Sequence, residues 1–286
     1  MSAPSASAAG YANPSALVES AWLADHLNDP AVAIVEVDVD TAAYGAGHIP
    51  GAIGWNWQTD LQQQPTRDLP SRTQWEALLS RSGIAPRTRV ILYGDNHNWF
   101  AAYAYWLFRL YGHREVHLLN GGRARWIDEG RPVTVEQPRR QPTAYAAQDP
   151  DWRIRALRDD VRAALGGPPV LIDVRSPAEF SGELLAPAHL PQEGAQRGGH
   201  IAGAQNVPWS PAVGEDGRFK PAADLQAIYG AKGIATDRPA ITYGRIGERS
   251  AHTWFVLTEL LGVPDVRNYD GSWTEWGSLI GAPIET

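Results

Sequence analysis

The residues best suited to chemistry lie in one short segment, residues 244–249, which contains two arginines and two glycines. The segment follows an apolar run over residues 241–243 and leads into a helical pattern of apolar residues. A strand that passes through a tight loop into a helix directs several backbone N–H groups, and the positive end of the helix dipole, towards one point. Arg245 and Arg249 add positive charge, and Gly247 permits the tight backbone. The pattern therefore predicts a binding site for a small anion.

The predicted loop has no nucleophile. Gly244 occupies the strand end, where the N–H groups converge, and Ile246 and Glu248 complete the loop. The chain contains no cysteine, which excludes disulfides, thiolate metal sites, thiol redox chemistry and cysteine nucleophiles. Ser250 is predicted to cap the helix that follows. We therefore expect residues 244–249 to hold an anion without attacking it, and we expect no metal and no cofactor.

Four further side chains are candidates for the rim of this site. Asp173 and Arg175 end a neighbouring apolar run, from which they either reach the loop or pair with each other. His252 lies on the first turn of the following helix, where the dipole favours loss of its proton. It either faces the pocket or packs against the sheet. His97 lies in the corresponding loop of the first half of the chain, where it either binds a ligand or stabilises its own turn.

The composition is that of a water-soluble protein with two domains. The chain has 286 residues, a length that is sufficient for two domains that each bury a core. Of these residues, 43% are hydrophobic and 20% are charged, as in soluble globular proteins. Its net charge of -7 disfavours nucleic-acid binding through phosphate neutralisation. No apolar run approaches the roughly 18 residues of a membrane helix, and the N-terminal residues lack the features of a secretory signal. We expect a cytoplasmic location and a small anionic substrate or ligand, without binding to nucleic acid or membrane; the sequence identifies no protein partner.

The chain repeats itself at an offset of about 150 residues. Four blocks recur in order: IVEVD at 34–38 and LIDVR at 171–175, GHIPGA at 47–52 and GHIAGA at 199–204, VILYG at 90–94 and AITYG at 240–244, LLNGGRARW at 118–126 and NYDGSWTEW at 268–276. The loops after the third block align without a gap but differ in charge. Asp95 and Trp99 in the first loop stand against Arg245 and Arg249 in the second. Only the second loop therefore has the charge expected of an anion site.

Each copy alternates apolar runs with helical patterns, which is typical of a parallel sheet covered by helices on both faces. We predict two tandem doubly wound α/β domains, each with a central parallel sheet flanked by helices. The predicted regions are a frayed tail, a first domain, a linker and a second domain, at residues 1–19, 20–134, 135–153 and 154–286. The linker contains several prolines and has no clear period. Its adjacent arginines, Arg139 and Arg140, are expected to be solvent-exposed surface.

These blocks resemble the two-domain thiosulfate sulfurtransferases, the rhodaneses. The resemblance covers about residues 20–284 and rests on DVRSPAEF at 173–180, GHIAGAQNVPW at 199–209 and YGRIGERSAHTW at 243–254. It implies a catalytically silent first domain and a second domain whose loop begins with a cysteine. In that family the thiolate takes the outer sulfur of thiosulfate and passes it to cyanide or a thiol. Here Gly244 stands in the cysteine position, and Gly94 occupies the same place in the silent copy.

Three hypotheses remain open from the sequence. The first is a thiosulfate sulfurtransferase whose nucleophile has been replaced, in which Arg245, Gly247 and Arg249 are retained. The second is a natural cysteine-free relative that binds an anionic substrate in the loop and catalyses a different, non-sulfur reaction. The third is a non-catalytic anion-binding scaffold. All three predict that the chain is inactive in persulfide chemistry.

Overall fold

Two parallel β-sheets, each accompanied by helices, confirm the predicted α/β class. The computed structural model describes residues 9–187, 194–235 and 237–286 of the chain. Contacts within the chain define two units. The first contains Pro14–Asp151 and Val213–Phe219, and the second contains Ala9–Asn13, Trp152–Ala212 and Lys220–Thr286.

The first unit is built around a parallel sheet. Its strands are β1 (Leu17–Val18), β2 (Val32–Asp38), β3 (Ile53–Asn56), β4 (Arg89–Tyr93) and β5 (Val116–Leu119). Its helices are α1 (Ser20–Asp25), α2 (Ala42–Ala46), α3 (Trp57–Asp60), α4 (Arg72–Arg81), α5 (Trp99–Leu110) and α6 (Gly122–Asp128). The strand order is β1-β5-β4-β2-β3. Every residue of β2 is buried, as a strand must be when helices cover both faces of its sheet.

The second unit repeats this design with shorter strands. Its strands are β6 (Val170–Asp173), β7 (His200–Ile201), β8 (Gln205–Asn206), β9 (Ala240–Tyr243), β10 (Val266–Asn268) and β11 (Ile284–Glu285). Its helices are α7 (Arg158–Ala164), α8 (Pro177–Phe180), α9 (Ala222–Gly230), α10 (Glu248–Phe255), which continues as a π-helix over Val256–Leu260, and α11 (Ser272–Trp276). The parallel sheet has the order β10-β9-β6-β8, and β11 pairs with β7 antiparallel.

The N-terminal region differs from the tail predicted for residues 1–19. Residues 1–8 lie outside the described residues. Leu17 and Val18 form β1, which pairs with β5, and both side chains are buried because they are apolar and complete the edge of the sheet. The ordered first unit therefore begins before residue 20. Within the described ranges, no helix is long and apolar enough to cross a membrane.

A tyrosine at the end of the central strand ties each GHI turn to its sheet. Tyr93 Oη accepts a hydrogen bond from Ile49 N at 3.1 Å, and Tyr243 Oη accepts one from Ile201 N at 3.1 Å. Both tyrosines are fully buried. These equivalent bonds fix the end of β4 and of β9, and therefore the start of each following loop, relative to the turn.

A buried ion pair completes this arrangement in the first unit. Arg123, on α6, places Nη1 2.9 Å from both carboxylate oxygens of Glu36. Its Nη2 donates to the carbonyl oxygen of Gly47 in the GHI turn. Burial raises the pKa of Glu36, and the charge of Arg123 opposes that rise. The guanidinium thus joins the strand end, the turn and α6.

Candidate functional site

The predicted loop connects the end of β9 to the start of α10 through residues 244–247. Gly247 is the N-cap of α10, with a φ of 102°. The predicted cap was wrong: Ser250 is the third residue of the helix, and its hydroxyl donates to Gly247 O at 3.0 Å. Because glycine adopts this left-handed φ without a Cβ clash, the chain enters the helix at Glu248.

Gly244 has room for a side chain. A Cβ built on Gly244 would lie 3.3 Å from Val174 Cγ2, 3.6 Å from Ser250 N and 3.7 Å from Arg249 Cβ. Its φ is outside the left-handed region, and its own N–H donates to Ser272 Oγ at 3.0 Å. Only the contact with the Val174 methyl group is tight. A side chain here would begin beside the first turn of α10, where the helix dipole favours negative charge.

The equivalent glycine of the first unit, Gly94, has no such room. A Cβ on Gly94 would lie 2.5 Å from Val37 O, closer than a Cβ atom approaches a backbone oxygen. The N–H of Gly94 donates to Asn98 Oδ1 at 3.0 Å, and Asn98 Nδ2 donates to Leu119 O at 2.7 Å. The side chain of Asn98 therefore fills the first loop. Glycine is required at position 94 but not at position 244.

Arg249 forms a buried ion pair with a residue that the sequence analysis missed. Its Nη1 and Nη2 donate to the two carboxylate oxygens of Glu179 at 3.0 and 2.9 Å, and the two side chains are only 4% and 1% exposed. Burial alone would raise the pKa of Glu179, but hydrogen bonds from Arg249 and Ser176 hold it below its ordinary value. Burial also disfavours the charge of Arg249, but the hydrogen bonds to Glu179 and the charges of Glu248 and Glu179 outweigh this effect and raise the pKa of Arg249. Arg249 thus neutralises Glu179, and its predicted part in binding an anion stays a prediction.

The other loop side chains are also buried. Arg245, Ile246 and Glu248 each have less than a tenth of their surface exposed. Glu248 Oε1 lies 3.5 Å from Arg249 Nε. Two arginines therefore balance two glutamates once Glu179 is included, and the side chains of the loop add no net charge. The remaining source of positive potential at the loop is the set of N–H groups at the start of α10.

Asp173 and Arg175 pair with each other, which is one of the two interpretations of this pair from the sequence. Arg175 Nη2 lies 2.6 Å from Asp173 Oδ2 and donates to Gly199 O at 2.7 Å. Burial alone would lower the pKa of Arg175, but the charge and hydrogen bonds of Asp173 raise it. Both side chains are fully buried. They repeat the arrangement of Arg123 and Glu36, and so they join the strand end to the GHI turn.

The two candidate histidines lie in different units. His252 is fully buried on α10, and its ring is edge-on to Trp209 with 5.1 Å between ring centroids. His97 lies in the first unit with a left-handed φ of 55°. Its Nδ1 would be 3.3 Å from a Cβ built on Gly217. Participation of either histidine in ligand binding stays a prediction, as it does for the loop residues.

Comparison with known proteins identifies the family. The family model described as "Rhodanese-like domain" matches the chain twice, over residues 19–129 and 157–279. This chain therefore belongs to the rhodanese family. The predicted linker at 135–153 lies between these two matches, and its bounds stay a prediction.

Several similar proteins have names that refer to sulfur. A "Putative thiosulfate sulfurtransferase" of Saccharopolyspora erythraea is 58% identical over 269 residues, which cover 94% of this chain and 95% of that protein. The "Sulfur carrier protein TtuD" of Thermus thermophilus is 50% identical over 279 residues, covering 96% of this chain and 98% of that protein. The crystal structure of SseA from Escherichia coli, described with the fold of 3-mercaptopyruvate sulfotransferases, matches with a TM-score of 0.78 at 27% identity, over 90% of this chain and 98% of that chain.

Proposed function

We propose that this chain has the framework of a thiosulfate sulfurtransferase, with Gly244 at the position of the sulfur-carrying residue. As the sequence stands, the loop at residues 244–249 binds a small oxyanion such as thiosulfate and transfers no sulfur. The names of the relatives support the sulfur chemistry. The absence of cysteine from the chain limits that chemistry to binding.

The observation that carries this proposal is the space at Gly244. A glycine required by the backbone has a left-handed φ or a blocked Cβ direction. Gly244 has neither, whereas a Cβ on Gly94 would meet Val37 O at 2.5 Å. Position 244 thus retains the geometry of a residue with a side chain. A thiol there would begin near Ser250 N at the positive end of α10, an environment that lowers the pKa of a thiol.

Sulfur transfer at this position requires an atom that accepts sulfur. A thiolate attacks the outer sulfur of thiosulfate, a new S–S bond forms, the original S–S bond breaks, and sulfite leaves with the electron pair. Cyanide or a thiol then attacks the outer sulfur of the persulfide, and the thiolate leaves. Backbone N–H groups stabilise the anion in the first step. Glycine supplies no sulfur atom, so the unchanged chain is expected to turn over at the background rate.

The variant Gly244→Cys tests this proposal. After incubation with thiosulfate, intact-mass spectrometry should show one added sulfur atom, and the thiosulfate-to-cyanide assay should show thiocyanate. The matched control is Gly230→Cys, because Gly230 ends α9 in the same unit, is exposed and has open space around it. It introduces a cysteine outside the loop and should gain no activity. A folded but inert Gly244→Cys variant would refute the proposed framework.

Binding to the unchanged chain addresses the two alternatives, a non-sulfur reaction at the loop and a non-catalytic anion-binding scaffold. Both require an anion to bind at residues 244–249 without a thiol. Titration with thiosulfate in a calorimeter should give a saturable heat if the N–H groups at the start of α10 are available. Saturable binding together with an inert Gly244→Cys variant would favour the alternatives over sulfur transfer. The absence of any heat would count against an anion site.

A further inference from the structure

The first unit contains a polar cleft that no part of the proposed sulfur chemistry uses. Its volume is about 420 Å³, within the range of small-molecule binding sites. Residues from α2, β3, α3, the end of α4 and the segment after residue 136 line it. The polar lining residues on which its chemistry depends are Tyr44, Asn56, Asp60, Arg81, Gln137 and Arg140.

Arg140 lines this cleft and carries a positive charge. Its side chain was predicted to be exposed, but it is half-buried. It packs against Gly83, where a Cβ would lie 2.9 Å from Arg140 Cβ. Its Nη1 donates to Val32 O at 3.0 Å. Burial lowers the pKa of Arg140, and no carboxylate of the described residues acts to raise it. A half-buried cation that faces a cleft without a counter-charge favours an anionic ligand.

The remaining polar groups leave this charge uncompensated. Among the described residues, Asp60 is the only carboxylate in the lining, and it accepts hydrogen bonds from Arg81 Nη2 at 2.6 Å and from Asn56 N at 2.9 Å. Arg81 therefore neutralises it. The lining has one negative and two positive side chains and so a net charge of +1, in a chain whose net charge is -7. Tyr44 Oη donates to Ala52 O at 2.8 Å and lies 3.3 Å from Gln137 Oε1, so the two N–H donors of the Gln137 amide are not used by Tyr44.

We infer that this cleft binds a small organic anion, whose carboxylate or phosphate group pairs with Arg140. The planar guanidinium matches the geometry of either group, and its Nη2 is not used by Val32 O. Ile53 and Pro138 provide apolar surface for the rest of the molecule. The site lies entirely within the first unit, so the inference is independent of the function proposed for the loop at residues 244–249.

NMR titration of the full chain, labelled with 15N, tests the inference. Succinate and inorganic phosphate are the probes, and the amide signals of Gly45 and Gly54 report on the cleft because both residues line it. We expect saturable shifts with at least one probe, and the preferred probe distinguishes a carboxylate ligand from a phosphate ligand. Arg140→Gln should weaken binding about tenfold or more, as expected for a charged hydrogen bond. Arg139→Gln, at the exposed neighbouring residue, should change affinity less than about twofold.

A second variant keeps the test decisive if Arg140→Gln does not fold. Asp60→Asn removes the carboxylate of the lining while retaining an oxygen for Asn56 N, so it raises the net charge of the cleft and should tighten binding severalfold. Unchanged or weaker binding by Asp60→Asn would overturn the inference. Absence of saturable shifts with both probes, or equal effects of Arg139→Gln and Arg140→Gln, would also overturn it. None of these outcomes bears on sulfur transfer by Gly244→Cys.

Discussion

Replacing Glu179 by Gln should destabilise the protein by about 3 kcal/mol at neutral pH. Glu179 and Arg249 are almost fully buried and share two hydrogen bonds of 2.9 and 3.0 Å. Removal of one partner of such a pair costs about 3–5 kcal/mol, because the remaining charge stays buried without compensation. Gln retains one oxygen that accepts from Arg249 or from Ser176, so we expect the lower end of this range.

The effect should depend on pH in a defined direction. The pKa of Glu179 is held below its ordinary value in the folded protein, where burial is outweighed by the bonds from Arg249 and Ser176. A depressed carboxyl pKa contributes stability that is present above the unfolded value, about 4.3, and is lost as the pH falls through the folded value. The difference in unfolding free energy between the unchanged chain and Glu179→Gln should therefore be constant near pH 7 and should shrink below about pH 4.

Urea unfolding measures this difference directly. The matched control is Asp149→Asn, because Asp149 lies 2.8 Å from Arg72 but is 95% exposed, and its loss should cost less than about 1 kcal/mol. A double variant with Arg249→Met should recover much of the loss, because it removes the stranded charge. If Glu179→Gln is no more destabilising than Asp149→Asn, the ion pair is not the main support of this loop and the reasoning fails.

Two further predictions concern the loop glycines of the two units and a buried carboxyl of the first unit. Gly94→Ala should destabilise the protein by about 2 kcal/mol or more, because the new Cβ would displace Val37 O. Gly244→Ala should remain within about 1 kcal/mol of the unchanged chain. Equal losses of unfolding free energy for the two variants in urea would contradict the claim that only position 244 has room for a side chain. Burial and the charge of Asp95 raise the pKa of Asp38 to about 8, so the contribution of Asp38 to stability is present at low pH and is lost as the pH rises through 8. Asp38→Asn, which keeps an oxygen for the Asp95 N–H, should therefore gain stability relative to the unchanged chain between pH 5 and 9 in a pH series of unfolding curves. If the difference in unfolding free energy between Asp38→Asn and the unchanged chain does not change with pH, the raised pKa of Asp38 is refuted.

Much of the fold follows from the sequence because its signals are local. The blocks IVEVD and AITYG are largely apolar runs, and they form the buried strands β2 and β9. The edge strand β1 was not predicted, because its two apolar residues, Leu17 and Val18, are too few to show a period. Strand β11 was missed for the same reason.

The partners of the loop were harder to predict, because they are distant in sequence. Glu179 is separated from Arg249 by 70 residues, and no local pattern links them. Comparison of the two copies does contain a signal. Counted from the aligned strands, Ala42 and Trp99 stand where the second copy has Glu179 and Arg249, so the acid and the arginine are lost together.

Equivalent polar contacts can also come from residues that do not align. The N–H of Gly94 is satisfied by Asn98 within the first loop, whereas the N–H of Gly244 is satisfied by Ser272, 28 residues away. The aligned position of Ser272 in the first copy is Gly122, where a Cβ would lie 2.6 Å from Asn98 Oδ1. Space, not sequence similarity, decided which side chain makes the bond in each copy.

Arg123 and Arg175 each pair with an acid at a strand end, but they come from positions that do not align between the two copies. This difference has a consequence for the evolution of a duplicated gene. Gene conversion that copied the β6 region over the β2 region would place a second arginine beside the acid that Arg123 already neutralises. The reverse copy would put Glu36 and Asp38 in the places of Asp173 and Arg175, which leaves two acids there and removes the cation that pairs with Asp173. Either recombinant would bury a bare charge, at a cost of several kcal/mol. Selection against such recombinants would prevent either half of the gene from being overwritten by the other, so the sequences of the two halves would continue to diverge.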